Sequence, residues 1–255
     1  MQNSENIYFT PYRVSTITCN ADIGKNISID LALLFQHIKI SCEDRSFIWI
    51  QYLKDDGENC RGIYPKRKRK SKTVSAKKCR FDNQITVIFK FNAEYMPNVK
   101  IFKNGNIQLT GIKDIRDPMI IGNEIIQNII NIYTSIDQKL FTTDQSNPLE
   151  MLQYHNFKIR MINTDFKIFE DSTCVSRYNI KRKELHNILI GEKYNNKSSF
   201  QPGIYQGVKL EYFWNSSHSI KKGLCTCSKN CFGKNSGHGD GNCKKVTIAI
   251  FEIEK

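Results

Sequence analysis

Two stretches of this chain follow the same order of elements, and that order constrains the fold more than any single motif. In the first, residues 12–20 are rich in β-branched side chains and predict a strand. Ser28 or Asp30 can cap a helix in which Leu31, Leu33, Leu34, Phe35 and Ile38 recur at helical spacing. Residues 46–54 predict a strand with two apolar faces, Ile48, Ile50 and Tyr52 on one and Phe47, Trp49 and Leu53 on the other. A polar insertion at 55–83 and a strand at 84–92 follow. In the second stretch, 157–169 reads as a strand and 181–190 as a helix ended by Gly191. Residues 207–215 read as an aromatic strand, 216–244 as a polar insertion and 245–253 as a strand. A long-period repeat of this kind is most economically an internal duplication of an α+β unit, with helices covering one face of an antiparallel sheet. The expected division is 1–140, carrying a basic insertion, and 141–255, carrying a cysteine-rich one.

Residues 99–111, V-K-I-F-K-N-G-N-I-Q-L-T-G, predict a hairpin about Asn104-Gly105, with a type I′ turn. Val99, Ile101, Ile107 and Leu109 are apolar and share one parity, so they form a dry face. Lys100, Phe102, Gln108 and Thr110 make up the other face. A phenylalanine beside a cation, an amide and a hydroxyl calls for either a second buried layer or a partner. Pro118 then introduces an amphipathic helix with Ile121, Ile125, Ile129 and Ile132 on one side, and 134–154 reads as a connector.

The formal net charge of +13 favours a polyanionic partner, unless the heavy use of lysine is only compositional drift. The densest block, K-R-K-R-K-S-K from Lys66 to Lys72, reads as a phosphate-binding arm, a nuclear-localisation-like address or a solvated loop. No apolar run reaches the length of a membrane span, so no membrane partner is expected. The polar start, without a signal-like segment, points to a reducing, intracellular setting. Nine cysteines there are free thiols or metal ligands rather than disulfides. Cys225, Cys227, Cys231 and Cys243 lie in one insertion as C-x-C-x3-C-x11-C, with His238 inside it. Four thiolates suit a structural zinc ion with no open position; free thiols are the alternative. Cys60 and Cys79 read as a degenerate relic of the same module, and Cys19, Cys42 and Cys174 as ordinary buried residues. The histidines are scattered, and no Gly-rich phosphate loop, G-x-S-x-G or H-E-x-x-H occurs, so catalysis is not expected.

These residues resemble the TATA-binding protein family, in particular the divergent TATA-binding-protein-like factors of large nucleocytoplasmic DNA viruses. Ile101, Phe102, Gly105, Thr110 and Gly111 fit the family's hairpin, Ile-Phe-x-x-Gly-x-x-x-x-Thr-Gly, without a gap. Phe200, Pro202, Gly203 and Tyr205 are similar to its Phe-Pro-Gly-x-x-Tyr. Arg45-Ser46-Phe47 is similar to the Arg-Phe that opens an aromatic strand, and Val14 and Thr16 fit the first strand. Residues 246–255 look like the strand before the second hairpin, which makes Phe251 the counterpart of Phe102. The resemblance implies a two-repeat saddle whose sheet sits on the minor groove of AT-rich promoter DNA. Phenylalanines wedge between base steps, the mechanism this family exemplifies. It assigns the wedges to Phe47, Phe102, Phe200 and Phe251, and groove contacts to Val14, Thr16, Lys100, Gln108 and Thr110. It further implies a TFIIB-like factor and RNA polymerase as partners, in a nucleus or a cytoplasmic viral factory or packaged in the virion. Tyr12 and Met161 stand where the family has central asparagines, Lys100 and Gln108 where it has apolar groove contacts, and Gln206 where it has an arginine. The family would add one more strand and a helix after Lys255. These departures keep a second reading open, a degenerate saddle that binds transcription proteins without bending DNA.

Overall fold

The computed structural model describes residues 7–24, 26–52, 59–65, 83–136, 139–143, 147–175, 179–219 and 222–252. The basic run at 66–72 and Cys79 lie outside them. In chain order the elements are β1 (Tyr8–Phe9), β2 (Arg13–Asp22), β3 (Ile27–Ile29), α1 (Leu31–His37), β4 (Ser46–Tyr52), β5 (Cys60–Gly62), β6 (Gln84–Lys90), β7 (Asn98–Phe102) and β8 (Asn106–Ile112). After them come α2 (Asp117–Ser135), β9 (Phe141–Thr143), a 3-10 turn (Pro148–Met151), β10 (His155–Asp165), β11 (Ile168–Phe169), α3 (Arg182–Ile190), β12 (Lys197–Gln201), β13 (Tyr205–Trp214) and β14 (Lys244–Ile250). They form two compact units, a larger one of Pro11–Phe166 and a smaller one of Met1–Thr10 with Lys167–Lys255. The class is α+β, with antiparallel sheets.

The larger unit is built on a seven-stranded sheet in the order β10-β2-β8-β7-β6-β4-β5. Helices α1 and α2 cover one face. Asp30 starts α1 by accepting bonds from Ala32 N–H (2.9 Å) and Leu33 N–H (3.0 Å), and Leu31 and Leu34 turn inward. The last carbonyls of α1 are taken up by Arg61 of β5, which donates to Phe35 O, to Gln36 O (2.8 Å) and to Ile38 O (3.1 Å). Helix α2 carries Pro118 in its first turn and buries Ile121, Ile125, Ile126, Ile129 and Ile132. So many β-branched residues are mediocre helix formers, so burial rather than propensity holds α2 together. Beneath the helices lie Ile17, Cys19 and Ala21 of β2, Ile107 and Leu109 of β8, Val99 and Ile101 of β7, and Ile85, Val87 and Phe89 of β6. Of the cysteines expected to be buried, Cys19 is, whereas Cys42 and Cys174 are exposed.

Register irregularities recur where β10 pairs with β2, and two further bulges, on β8 and β4, break the two-residue period nearer the middle of the sheet. The register of β8 against β2 jumps between Ile17↔Ile112 and Thr18↔Thr110, which leaves Gly111 as the extra residue, with φ +82°. On β4 the jump falls between Phe47↔Phe89 and Trp49↔Ile88, which leaves Ile48 extra. On either side of that bulge Phe47 and Ile50 both point into the main core, while Ile48 and Trp49 join Ile88 in a small second core against Met96 and Cys60. Tyr64 meets Trp49 edge-on at 4.9 Å. The two apolar faces of this strand are therefore present, but sequence parity does not sort its residues correctly between them.

The 99–111 hairpin forms as expected, with a different turn. Gly105 N–H bonds Phe102 O (3.0 Å), Gly105 has φ +79°, and Asn104 is not among the residues with positive φ. This is a three-residue loop, a tight turn followed by a left-handed glycine, rather than the expected type I′ turn, which needs two positive φ values.

The smaller unit holds a three-stranded sheet, β12-β13-β14, with α3 against β12 and β13, and a β1–β11 ribbon. As expected, α3 ends at Gly191, whose N–H bonds Asn187 O (3.1 Å). Strands β3, β5 and β12 are short elements that the sequence pattern did not reveal.

The bulge glycine offers a direct check. A Cβ on Gly111 would approach only Pro97 Cα, at 3.7 Å, so Gly111→Ala strains the backbone without a clash. Denaturant unfolding of Gly111→Ala should show a loss of about 1–2 kcal/mol with an unchanged m-value. An unaltered midpoint would show that the position does not need the left-handed conformation.

Candidate nucleic-acid interface and metal site

With one face of the large sheet under α1 and α2, the cross-strand register defines what the other face presents. Asn20, Gln108, Lys100, Thr86 and Gln51 stand side by side across β2, β8, β7, β6 and β4. A second row runs Thr18, Thr110, Asn98, Ile88 and Trp49. Phe102 sits at the end of β7 opposite Gln84 and is half-buried, as are Lys100, Gln108 and Thr110. Thr16 shares the parity of Thr18 on β2 and is half-buried; Val14 is exposed and lies beyond a register break between Asn163↔Thr16 and Thr164↔Val14, which leaves Ser15 extra. At the hairpin end, Asn20, Asp22, Phe102, Gln108 and Lys158 line an open depression of about 750 Å³. Thus Phe102, Lys100, Gln108, Thr110 and Thr16 are brought together on one polar, cation-bearing face, while Val14 lies past the register break at the strand's start. Sequence reasoning had not singled out Asn20, Asn98 or Thr86; their common parity along β2, β7 and β6 was the available signal.

Phe47 is not on that face. It is 1% exposed and meets Phe89 edge-on at 5.3 Å inside the main core. The Ile48 bulge, one residue on, is what separates it from its neighbours. In the smaller unit Phe200 and Phe251 also go to different sides. Phe200 lies under α3, with the Arg182 guanidinium 5.8 Å from its ring centroid and His186 at 6.5 Å. Phe251 is half exposed and packs against Tyr205 at 5.6 Å. It lies over Gly207, where a Cβ would come within 2.8 Å of the ring.

The four cysteines of the 216–244 insertion converge. Their Sγ atoms all lie within 4.8 Å of one another, with Cys227–Cys243 at 3.4 Å and Cys243–Cys225 at 3.7 Å. Four sulfurs held tetrahedrally at about 2.3 Å from a zinc ion would be spaced at about 3.8 Å, so the cluster has the size to hold a metal ion. Backbone N–H groups of Gly233 and Cys243 reach Cys231 and hold its thiol below the usual value, while burial pushes the Cys243 thiol up to about 12. Asn215, 2% exposed, places its Nδ2 between Gly239 O (2.9 Å) and Cys243 Sγ (3.5 Å). His218 Nε2 is 3.9 Å from Cys227 Sγ, whereas His238 turns to Ser216 Oγ (2.8 Å) and the Trp214 ring. Asn215 and His218 were not read from the sequence. They lie one and four residues past the end of β13, before the cysteine spacing begins.

The loop hangs from that strand. Phe213 N–H bonds Gly223 O (2.9 Å), Ser216 N–H bonds Gly237 O (2.8 Å) and Lys245 N–H bonds Gly233 O (2.7 Å). The same three glycines lie against the rings of Tyr212, Trp214 and Phe213, too close for a side chain.

No family model matches the sequence. The chain is 32% identical over 249 residues to the TATA-box-binding protein-like protein of Acanthamoeba polyphaga mimivirus. That match covers 94% of this chain and 57% of the other, so this chain spans little more than half the length of the relative. Among solved structures, the TBP of Methanococcus jannaschii aligns with 78% of this chain and 75% of its own, at 11% identity and a TM-score of 0.34. The chain is accordingly a relative, along almost its whole length, of a viral TATA-box-binding protein-like protein.

Proposed function

We propose that this protein is a TATA-binding-protein-like initiation factor whose larger unit binds double-stranded promoter DNA in the minor groove and bends it. The observation that carries this reading is the face bearing Phe102. A partly exposed phenylalanine stands at the end of β7, two residues along the strand from Lys100, whose sheet row also contains Gln108 and Asn20. An apolar wedge unstacks a base step, and the polar row beside it supplies groove and phosphate contacts. Gln108 and Asn20 amides can donate to the N3 and O2 acceptors of A·T pairs, and Lys100 to a phosphate. Preference at uncontacted steps would come from how easily the DNA kinks. Phe102 is the wedge of the larger unit and Phe251 the candidate in the smaller; Phe47 and Phe200 serve packing. A TFIIB-like factor and RNA polymerase are the partners this reading implies.

A second reading, an interaction module that no longer bends DNA, is favoured by the inward turn of Phe47 and by Phe200 lying under Arg182. The DNA itself separates the two. On an AT-rich duplex labelled at both ends, Phe102→Ala should lower the bend reported by energy transfer. Lys100→Ala should leave the bend and reduce the slope of log K against log salt by about one. Phe47→Ala should instead cost about 3–5 kcal/mol of stability. No binding of AT-rich or GC-rich duplex by the parent protein at low salt would leave the interaction module standing.

For the cysteine cluster we propose one structural zinc ion, held by Cys225, Cys227, Cys231 and Cys243, with Asn215 donating to the Cys243 sulfur. Its role is to order a loop that has little core of its own. Each thiol must lose its proton to bind, and burial keeps the Cys243 proton on well above neutral pH in the absence of metal. Zinc therefore displaces protons, and its apparent affinity should rise with pH and fall steeply towards pH 5. Elemental analysis should find one zinc per chain and almost none in Cys231→Ser/Cys243→Ser; equal metal in both proteins would refute the assignment.

A further inference from the structure

The cysteine loop carries one feature that metal binding leaves unexplained. Phe232 follows the ligand-set residue Cys231 directly, yet its side chain is 76% exposed. Its backbone is well held on both sides. Cys231 receives the N–H groups of Gly233 and Cys243. Gly233 O accepts from Lys245 N–H (2.7 Å), and Gly233 itself lies against Phe213. The ring is thus presented to solvent by a fixed turn rather than by a loose end.

Its surroundings are cationic. Residues 216–245 contain six lysines and one acid, Asp240. That carboxylate accepts from Ser228, through its backbone N–H (2.8 Å) and its hydroxyl (2.6 Å), and from the backbone N–H of Lys229, whose ammonium also lies close enough to feel its charge. Lys245 is paired with Glu211 at 2.9 Å. Lys229 and Lys234, three residues before and two after Phe232, are exposed. A zinc ion with four thiolates is doubly negative, which leaves the loop positive overall.

We propose that the tip Lys229–Lys234 is a second nucleic-acid contact, in which Phe232 stacks on an unpaired base while Lys229 and Lys234 meet the flanking phosphates. Aromatic platforms between cations bind single strands this way, because every base has a π-face and a duplex hides its own inside the stack. The ligand class is single-stranded DNA or RNA, such as the strand freed when a duplex opens. The site lies wholly in the smaller unit and does not depend on the sheet-face reading above.

Fluorescence anisotropy with the zinc-loaded full chain and a labelled mixed-sequence DNA strand of about 12 nucleotides tests it. Phe232→Ala should weaken binding about tenfold, with Phe232→Trp restoring it. Lys229→Ala/Lys234→Ala should flatten the salt dependence, and Phe102→Ala should leave single-strand affinity unchanged. Metal content is measured on every protein. Where Phe232→Ala has lost its zinc, Phe232→Leu takes its place, a side chain of similar bulk without a π-face. Parent-like binding by the metal-bearing variant, or no single-strand binding by the parent, overturns the proposal.

Discussion

The larger unit depends on one contact, the docking of the isoleucine face of α2, with α1 beside it, onto a single side of the seven-stranded sheet. Because strand side chains alternate, burying one parity on β2, β8, β7 and β6 commits the other parity to the opposite face. Ile17, Cys19 and Ala21 go under the helices, so Thr16, Thr18 and Asn20 must face away. The polar rows across the sheet are therefore a consequence of the core. The same contact explains how α2 can be a helix with so many β-branched residues: tertiary burial outweighs a propensity penalty of a few tenths of a kcal/mol per residue.

Where alternation was unbroken, the sequence was easy to read. The 99–111 hairpin, the helix starts at Asp30 and Pro118 and the inward isoleucines of α2 stand where periodicity and capping chemistry put them. What could not be read has a common cause in non-local pairing. Strands β3, β5 and β12 are three to five residues long and owe their existence to partners elsewhere in the chain. The type I′ turn was expected from the Asn-Gly pair alone. The structure instead closes the loop one residue earlier, with Gly105 O accepting Ile23 N–H at 2.9 Å, so that tertiary contact decides the turn. Cysteine spacing marked the four clustered thiols, but Asn215 and His218 lie before the first of them, and only the folded loop brings them close.

That loop solves a different problem from the sheet. Apart from the cysteine cluster, it has few apolar residues to bury, and it uses what β13 already offers. Tyr212, Phe213 and Trp214 present consecutive rings at the strand end, and three glycines with positive φ let the loop backbone lie against them. Backbone hydrogen bonds then tie the loop to the strand, and the cysteine sulfurs are left together, Cys243 buried and Cys225 at the surface. The aromatic end of the strand thus forms the surface on which the loop's glycines rest.

Phe47 and Phe102 show why motif and register must be read together. Each lies in a stretch that resembles a family motif, and each lies in a strand of the same sheet. One ring is enclosed in the core against Phe89, and the other stands beside Lys100 and Gln108. The difference comes from a single extra residue. The bulge at Ile48 changes which of the following side chains face the helices, so parity counted from Phe47 fails within two residues. In the hairpin the bulge falls at Gly111, after Phe102, Gln108 and Thr110 have already been placed, so parity survives across every residue that matters. A glycine at that position lets the strand absorb an extra residue in the left-handed region without moving the side chains before it. The Thr110-Gly111 pair is thus part of what keeps Phe102 and its polar neighbours on one face.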